Sequence, residues 1–468
     1  MKKRTATAWK SGFAFLGGIL CIGLVGAGLS LFFAASPVQA QKPQGMLPGQ
    51  VGGEDETGPY EVAMGWPQPL GHPGYTWGSQ GGVFAESPNR IYIANRGELP
   101  IPEKAPEGYT GGYGAFGQPA TNGHPRMQHC ILVVDGNGKL LEDWTQWDHL
   151  FEGGRGPHHV KINPYDPEKH VWVVDDMVQQ VFEFTHDGKQ LVMTLGERLV
   201  KGEDEKHFGR PTDIAWLPDG TFFISDGYIN TRVVKFDKNG KFLMTWGTKG
   251  KGPGQFDLPH SIDIDSQRRV YVADRSNSRI QIFDENGKYL SEWDNIRQPY
   301  HIMVTTGGGN DNQQYLWVAD GVSNKFLKYD LQGHLLYSWG TYGAFPGAFW
   351  GVHQFSIDPA GNLYAAETFG GRTQKFVPKA GADPATLIGQ PVKITQISPG
   401  KREEKARRDS STAWPPVQET DRRRSAATSL RMTPQKAGAD PATLIGQTPG
   451  IKAPKDGNLD VGAKAPTP

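Results

Sequence analysis

The sequence predicts an all-β chain closed into a six-bladed β-propeller, and three observations predict it. First, one strand phrase recurs: IYIANR (91–96), VWVVDD (171–176), FFISDG (222–227), VYVADR (270–275), LWVADG (316–321) and LYAAET (363–368). The acids at Asp226, Asp274, Asp320 and Glu367 are spaced 48, 46 and 47 residues apart, the length of one four-stranded blade. Second, a turn-bearing strand follows each of the last five phrases: VFEFTHDGK, VVKFDKNGK, IQIFDENGK, FLKYDLQGH and TQKFVPK. Phrases ending in Trp (LMTWG, LSEW, LYSWG) complete three of the units. Third, 61 Gly and 35 Pro among 468 residues punctuate a chain of short strands and turns.

Taken in order, residues 1–40 read as a targeting segment. MKKR supplies positive charge, Ser11 to Ala35 is apolar and uncharged, and VQA (38–40) offers small residues before Gln41. A cleaved secretory signal, exporting the chain to the periplasm or beyond, is the first reading. A membrane anchor over residues 11–35 is the other, since a spanning helix needs about 20 apolar residues. Cys21 lies in this run and Cys130 is the only other cysteine, so the mature chain has no disulfide framework. Residues 41–58 read as a linker, and 59–378 as the propeller.

The last blade lacks a fourth strand, and YEVAMGWPQ (60–68) is expected to supply it, because an open edge invites aggregation. Residues 97–128, rich in Gly, Pro and Tyr, interrupt blade one as a long insertion. Residues 379–468 are rich in Pro, Ala and charge and repeat KAGADPATLIGQ at 379–390 and 436–447. That composition predicts a disordered tail, with envelope or membrane association through its basic runs or through the N-terminus. The formal net charge of zero argues against nucleic acid as a partner.

Three repeats carry a histidine where the inner strand begins: GRGPHHVKIN (His158), FDLPHSIDID (His260) and FWGVHQFSID (His353). They fall in blades two, four and six. Alternate blades of six lie about 120° apart, so three imidazoles converge on the axis and leave a fourth direction open, the pattern of a catalytic zinc site. Imidazole also suits copper, iron and nickel. A weaker copy, RQPYHIMV, sets His301 in blade five, outside the alternation; it reads as a supporting or substrate group, or as a coincidence. His159 and His129 read as ordinary polar residues. Aligned repeats place Arg96 (NRG), Tyr228 (SDGY) and Arg275 (ADR) at the same face. A phenol beside a metal and an arginine is eased toward ionisation and suits a general base. The recurrent Asp175, Asp226, Asp274 and Asp320 read as structural turn residues.

These motifs resemble the peptidyl-α-hydroxyglycine α-amidating lyase family, propellers of the NHL-repeat type. The resemblance spans about residues 78–378 and is most specific over 208–284, through SDGY, LPHS and ADR. It implies a zinc on His158, His260 and His353, a catalytic Tyr228, and active-site arginines Arg96 and Arg275. The implied reaction cleaves a peptidyl-α-hydroxyglycine to an amide and glyoxylate. It also implies a channel calcium on the carbonyls of Val83 and Val160 and on the side chain at 354. There the family has an aspartate and this chain has neutral Gln354, a poorer ligand for calcium. Two other classes stay open at this point: a different metal-dependent propeller enzyme such as a hydrolase, and a non-catalytic NHL propeller that binds protein or envelope ligands.

Overall fold

The computed structural model describes residues 57–68, 75–100, 126–308 and 311–394. The expected signal or anchor, most of the insertion and the tail beyond residue 394 lie outside the described residues. Six four-stranded antiparallel sheets are arranged as blades. Their inner strands are Gln80–Ser87, His159–Ile162, Pro211–Trp216, Pro259–Ile264, Pro299–Thr306 and Val352–Ile357. Blade six takes its fourth strand from the other end of the chain: Tyr60–Val62 pairs with Arg372–Pro378 in the register Tyr60↔Pro378, Glu61↔Val377, Val62↔Phe376. The start of YEVAMGWPQ therefore closes the ring.

Burial follows the radius. Every residue of the inner strand Pro211–Trp216 is buried. The outer strand Leu191–Leu195 alternates half-buried and exposed residues, as a sheet edge facing water should. Apolar clusters fill the spaces between blades, as where Trp172 and Val174 of blade two meet Phe222 and Ile224 of blade three. The repeated Trp and turn Gly are partners across these seams. A Cβ on Gly287 (φ +79°) would sit 2.7 Å from the Trp246 ring of the preceding blade, and one on Gly333 (φ +91°) 2.5 Å from Trp293. Both the left-handed backbone and the ring contact require glycine.

The insertion starts as a short ribbon. Glu98–Pro100 pairs with Tyr75–Trp77, and Arg126 returns to Glu98 through paired backbone hydrogen bonds. The expected boundary at residue 378 needs correction. Residues 379–394 pack onto the propeller: Ile388 N–H donates to the Tyr60 hydroxyl at 3.0 Å, and Ile394 N–H to the Tyr165 hydroxyl at 2.8 Å. Pro391 bridges to Thr305, and Ile388 and Ile394 are buried. Two well-spaced isoleucines outweigh a polar average composition here.

Candidate metal centre

A backbone irregularity aims the histidines. The inner-strand register skips one residue at Gly81, Thr212, His260, Tyr300 and His353. A bulge of this kind re-aims the extra side chain. In blade two His158 takes the same place just before its strand, its N–H bonded to Val174 O at 2.7 Å. Repeat alignment thus makes one axial ring of Gly81, His158, Thr212, His260, Tyr300 and His353. A second ring follows one residue on: Gly82, His159, Asp213, Ser261, His301 and Gln354.

The three predicted histidines come together. His158 and His260 are fully buried and His353 nearly so. Their ring centroids are 4.4–5.0 Å apart, and a ligand nitrogen of each lies within 4.8 Å of the others. Each ring is oriented by the neighbouring blade. His158 Nδ1–H donates to Thr212 O at 2.7 Å, His260 Nδ1–H to Tyr300 O at 2.6 Å and His353 Nδ1–H to Gly81 O at 2.7 Å. That bond fixes the tautomer and leaves Nε2 as the lone-pair atom, as in histidine metal sites. Burial, then the neighbouring imidazoles and arginines, holds all three pKa values well below 6.5. The rings are therefore neutral and fit a borderline divalent metal.

Tyr228 stands over this cluster. Its hydroxyl is 3.0 Å from His260 Nε2 and 3.3 Å from His158 Nε2, and accepts from Arg275 Nη1 at 3.4 Å. Gly227 makes the approach feasible, since a Cβ there would lie 1.9 Å from Pro259 O. The guanidiniums of Arg210, Arg155 and Arg275 lie 4.3, 5.1 and 5.3 Å from the Tyr228 ring centroid. Burial raises the phenol pKa, but Arg275, Arg155 and Arg210 outweigh it and bring it below 10. Arg96 is buried beside the centre, with Nε donating to Pro157 O at 3.2 Å and Nη1 to Thr368 Oγ1 at 3.1 Å. Its Nη2 has no hydrogen-bond partner, a donor suited to an incoming anion.

Sequence reasoning missed Arg155, Arg210 and Asp176. Asp176 is fully buried and holds both arginines: Arg155 through Nε and Nη2 at 3.2 and 3.1 Å, and Arg210 through Nε at 2.9 Å and Nη2. A signal existed. Asp176 occupies in blade two the position that Arg96 and Arg275 occupy in blades one and four, and VVDD doubles the acid only there. The first acids of the phrases are structural. Asp175, for example, accepts from Met177 N and Val178 N, and Asp320 from Arg297 N and Gln298 N.

Three expectations change. His301 is not the blade-five copy of the metal histidines; Tyr300 is, and the bulge shifts His301 into the second ring. His159 is more than an ordinary polar residue, being fully buried in that same ring, whereas half-buried His129 pairs with Asp143. The calcium does not fit. Gln354 Nε2–H donates to Val160 O at 2.8 Å while its Oε1 accepts from Val160 N–H at 3.2 Å. A neutral amide donor already occupies the carbonyl that the ion would need.

The fold and the centre together define a six-bladed β-propeller with an axial histidine cluster. A family model described as "6-bladed beta-propeller" matches residues 200–308. The chain has relatives among amidating enzymes and NHL-repeat proteins. It is 39% identical over 160 residues to peptidyl-glycine alpha-amidating monooxygenase B of Xenopus laevis, covering 33% of this chain and 17% of that protein. It is 39% identical over 124 residues to a probable peptidyl-alpha-hydroxyglycine alpha-amidating lyase of Caenorhabditis elegans (26% and 35% covered). It is 31% identical over 229 residues to NHL repeat-containing protein 3 of Homo sapiens (47% and 54% covered). The chain thus spans from about a sixth to about half of the length of these relatives.

Proposed function

We propose that this chain is a zinc-dependent lyase that cleaves an N-acyl-α-hydroxyglycine to the amide and glyoxylate. The observation that carries the reading is the Tyr228 hydroxyl, within hydrogen-bond reach of two metal-facing nitrogens and of Arg275. Relatives bearing amidating-lyase names support it. Zinc on the three imidazoles supplies a Lewis acid for the substrate hydroxyl.

In this reading the chain's own groups do the rest. Arg96, with its unfilled Nη2, takes the substrate carboxylate. Tyr228, its phenol eased toward ionisation by three arginines, accepts the hydroxyl proton. The C–N bond then breaks, its electron pair going to the amide nitrogen, and Tyr228 returns the proton there. The former carbinol carbon leaves as the aldehyde of glyoxylate. Arg275 steadies the charge that develops on the oxygen. We infer further that the apolar segment over residues 11–35 directs the chain to the cell envelope.

The test is glyoxylate release from N-benzoyl-α-hydroxyglycine by residues 41–468, with and without zinc. Zinc-dependent release that His260→Ala abolishes supports the reading. A folded, zinc-loaded protein that releases none overturns it.

A further inference from the structure

The second axial ring holds a group that the lyase reading does not use. His159, Asp213 and His301 are all buried, with exposures of 0, 0 and 1%. Their ligand atoms lie within 4.8 Å of one another, and the two imidazole centroids are 5.4 Å apart at 86°. Neither nitrogen of His301 has a hydrogen-bond partner. His159 is held more firmly, with Nδ1 3.0 Å from Asp213 Oδ1 and the His353 backbone beside the ring. A neutral imidazole has one donor and one acceptor. A buried ring such as His301, with neither nitrogen satisfied, is unusual in an interior where each buried orphan costs about 1–3 kcal/mol.

Asp213, in contrast, is anchored. Ser261 Oγ and Ile262 N–H donate to Oδ2 at 2.7 and 3.2 Å, and Ile214 N–H donates to Oδ1 at 2.8 Å. The carboxylate is thus fixed while the His301 nitrogens near it stay unused. Below this ring the far ends of all six inner strands enclose a cavity of about 670 Å³, lined in part by His301 and Lys161 and flanked by Gln390–Lys393. Of the three groups, His301 lines this cavity, on the side of the channel away from the three-histidine centre.

We propose that His159, Asp213 and His301 form a second site for a divalent transition metal of the zinc or ferrous-iron class, filled from the opposite mouth of the channel. Two imidazoles and one carboxylate are a donor set for these metals rather than for calcium or magnesium. Lys161 is the built-in competitor. Its Nζ sits 2.6 Å from Asp213 Oδ1 and 3.1 Å from Ile214 O. It neutralises the carboxylate when no cation is bound, and must turn toward the cavity when one is. The second site is therefore weaker than the first.

The test is metal content and cobalt absorption of the full chain, stripped with chelator and titrated with Co2+ and, separately, Zn2+. Wild type takes up two equivalents, the second more weakly. His301→Ala takes up one. Lys161→Met takes up two, the second at least about tenfold tighter, because the competing ammonium is gone. His260→Ala loses only the tighter equivalent, so the two centres fail or stand separately. One equivalent in both wild type and folded Lys161→Met overturns the proposal and leaves the cluster a Lys–Asp–His network. Should His301→Ala not fold, metal-edge anomalous scattering from wild-type crystals decides: a peak between His159 and His301 supports the site, and its absence after zinc loading refutes it.

Discussion

Replacing Arg96 by Met separates binding from stability. Burial and the nearby Arg155 hold the Arg96 guanidinium down to about 10, more than two pH units below its ordinary value. At about 1.4 kcal/mol per pH unit, that is a cost of roughly 3 kcal/mol to the folded protein at neutral pH. The sign is that of a base with a depressed folded pKa: the cost is full below about pH 10 and fades as pH rises above it toward the ordinary arginine range. Arg96→Met removes that cost. It also orphans Pro157 O, worth about 1–3 kcal/mol; Thr368 keeps its 2.8 Å contact with Ser79. The terms offset, so stability should change by less than about 2 kcal/mol in urea unfolding. Activity should not be spared. A buried ion pair with a substrate carboxylate is worth about 2–5 kcal/mol, or about 30-fold to several thousandfold in kcat/KM. The assay compares N-benzoyl-α-hydroxyglycine with N-(hydroxymethyl)benzamide, which lacks the carboxylate. The variant should lose its activity on the first and keep what activity wild type has on the second. Equal losses on both, or a stability loss above about 4 kcal/mol, would refute the carboxylate role.

Three further outcomes are expected. Tyr228→Phe keeps its zinc content but loses at least about 100-fold in glyoxylate release, the scale of a proton-transfer group. Gly333→Ala, whose Cβ meets Trp293 at 2.5 Å, costs about 2–5 kcal/mol in urea unfolding. Gly254→Ala, at φ +73° with nothing within 4 Å, costs only the backbone term of about 1–2 kcal/mol. Ending the chain at Pro378 rather than at Ile394 removes buried Ile388 and Ile394 and should cost about 3–6 kcal/mol by thermal unfolding.

The repeats made the blades legible, because alternation and turn residues are local signals. The closing strand was legible too, since a ring with one strand missing demands a partner and Tyr60–Val62 has the right pattern. His301 was misplaced because a bulge inserts one residue without any mark in the sequence. Arg155 and Arg210 escaped notice because Asp176 holds them over Tyr228, and that pairing spans 34 residues between Asp176 and Arg210. The folded part of the tail was hidden by its composition. Two buried isoleucines decide it, and an average over Pro and Ala conceals them.

The closing strand also sets an order in time. Tyr60–Val62 is the first blade strand to be synthesised, yet its partner ends at Pro378, more than 300 residues later. At about 5–20 residues per second, it waits from a quarter of a minute to about a minute with no strand to pair with. During that interval the other blades can stack in sequence, each on the one before. The ring can shut only after synthesis has passed blade six. Conditions that slow elongation lengthen the life of the open ring, and with it the exposure of the seam between blades five and six that Tyr60 and Phe376 together bury.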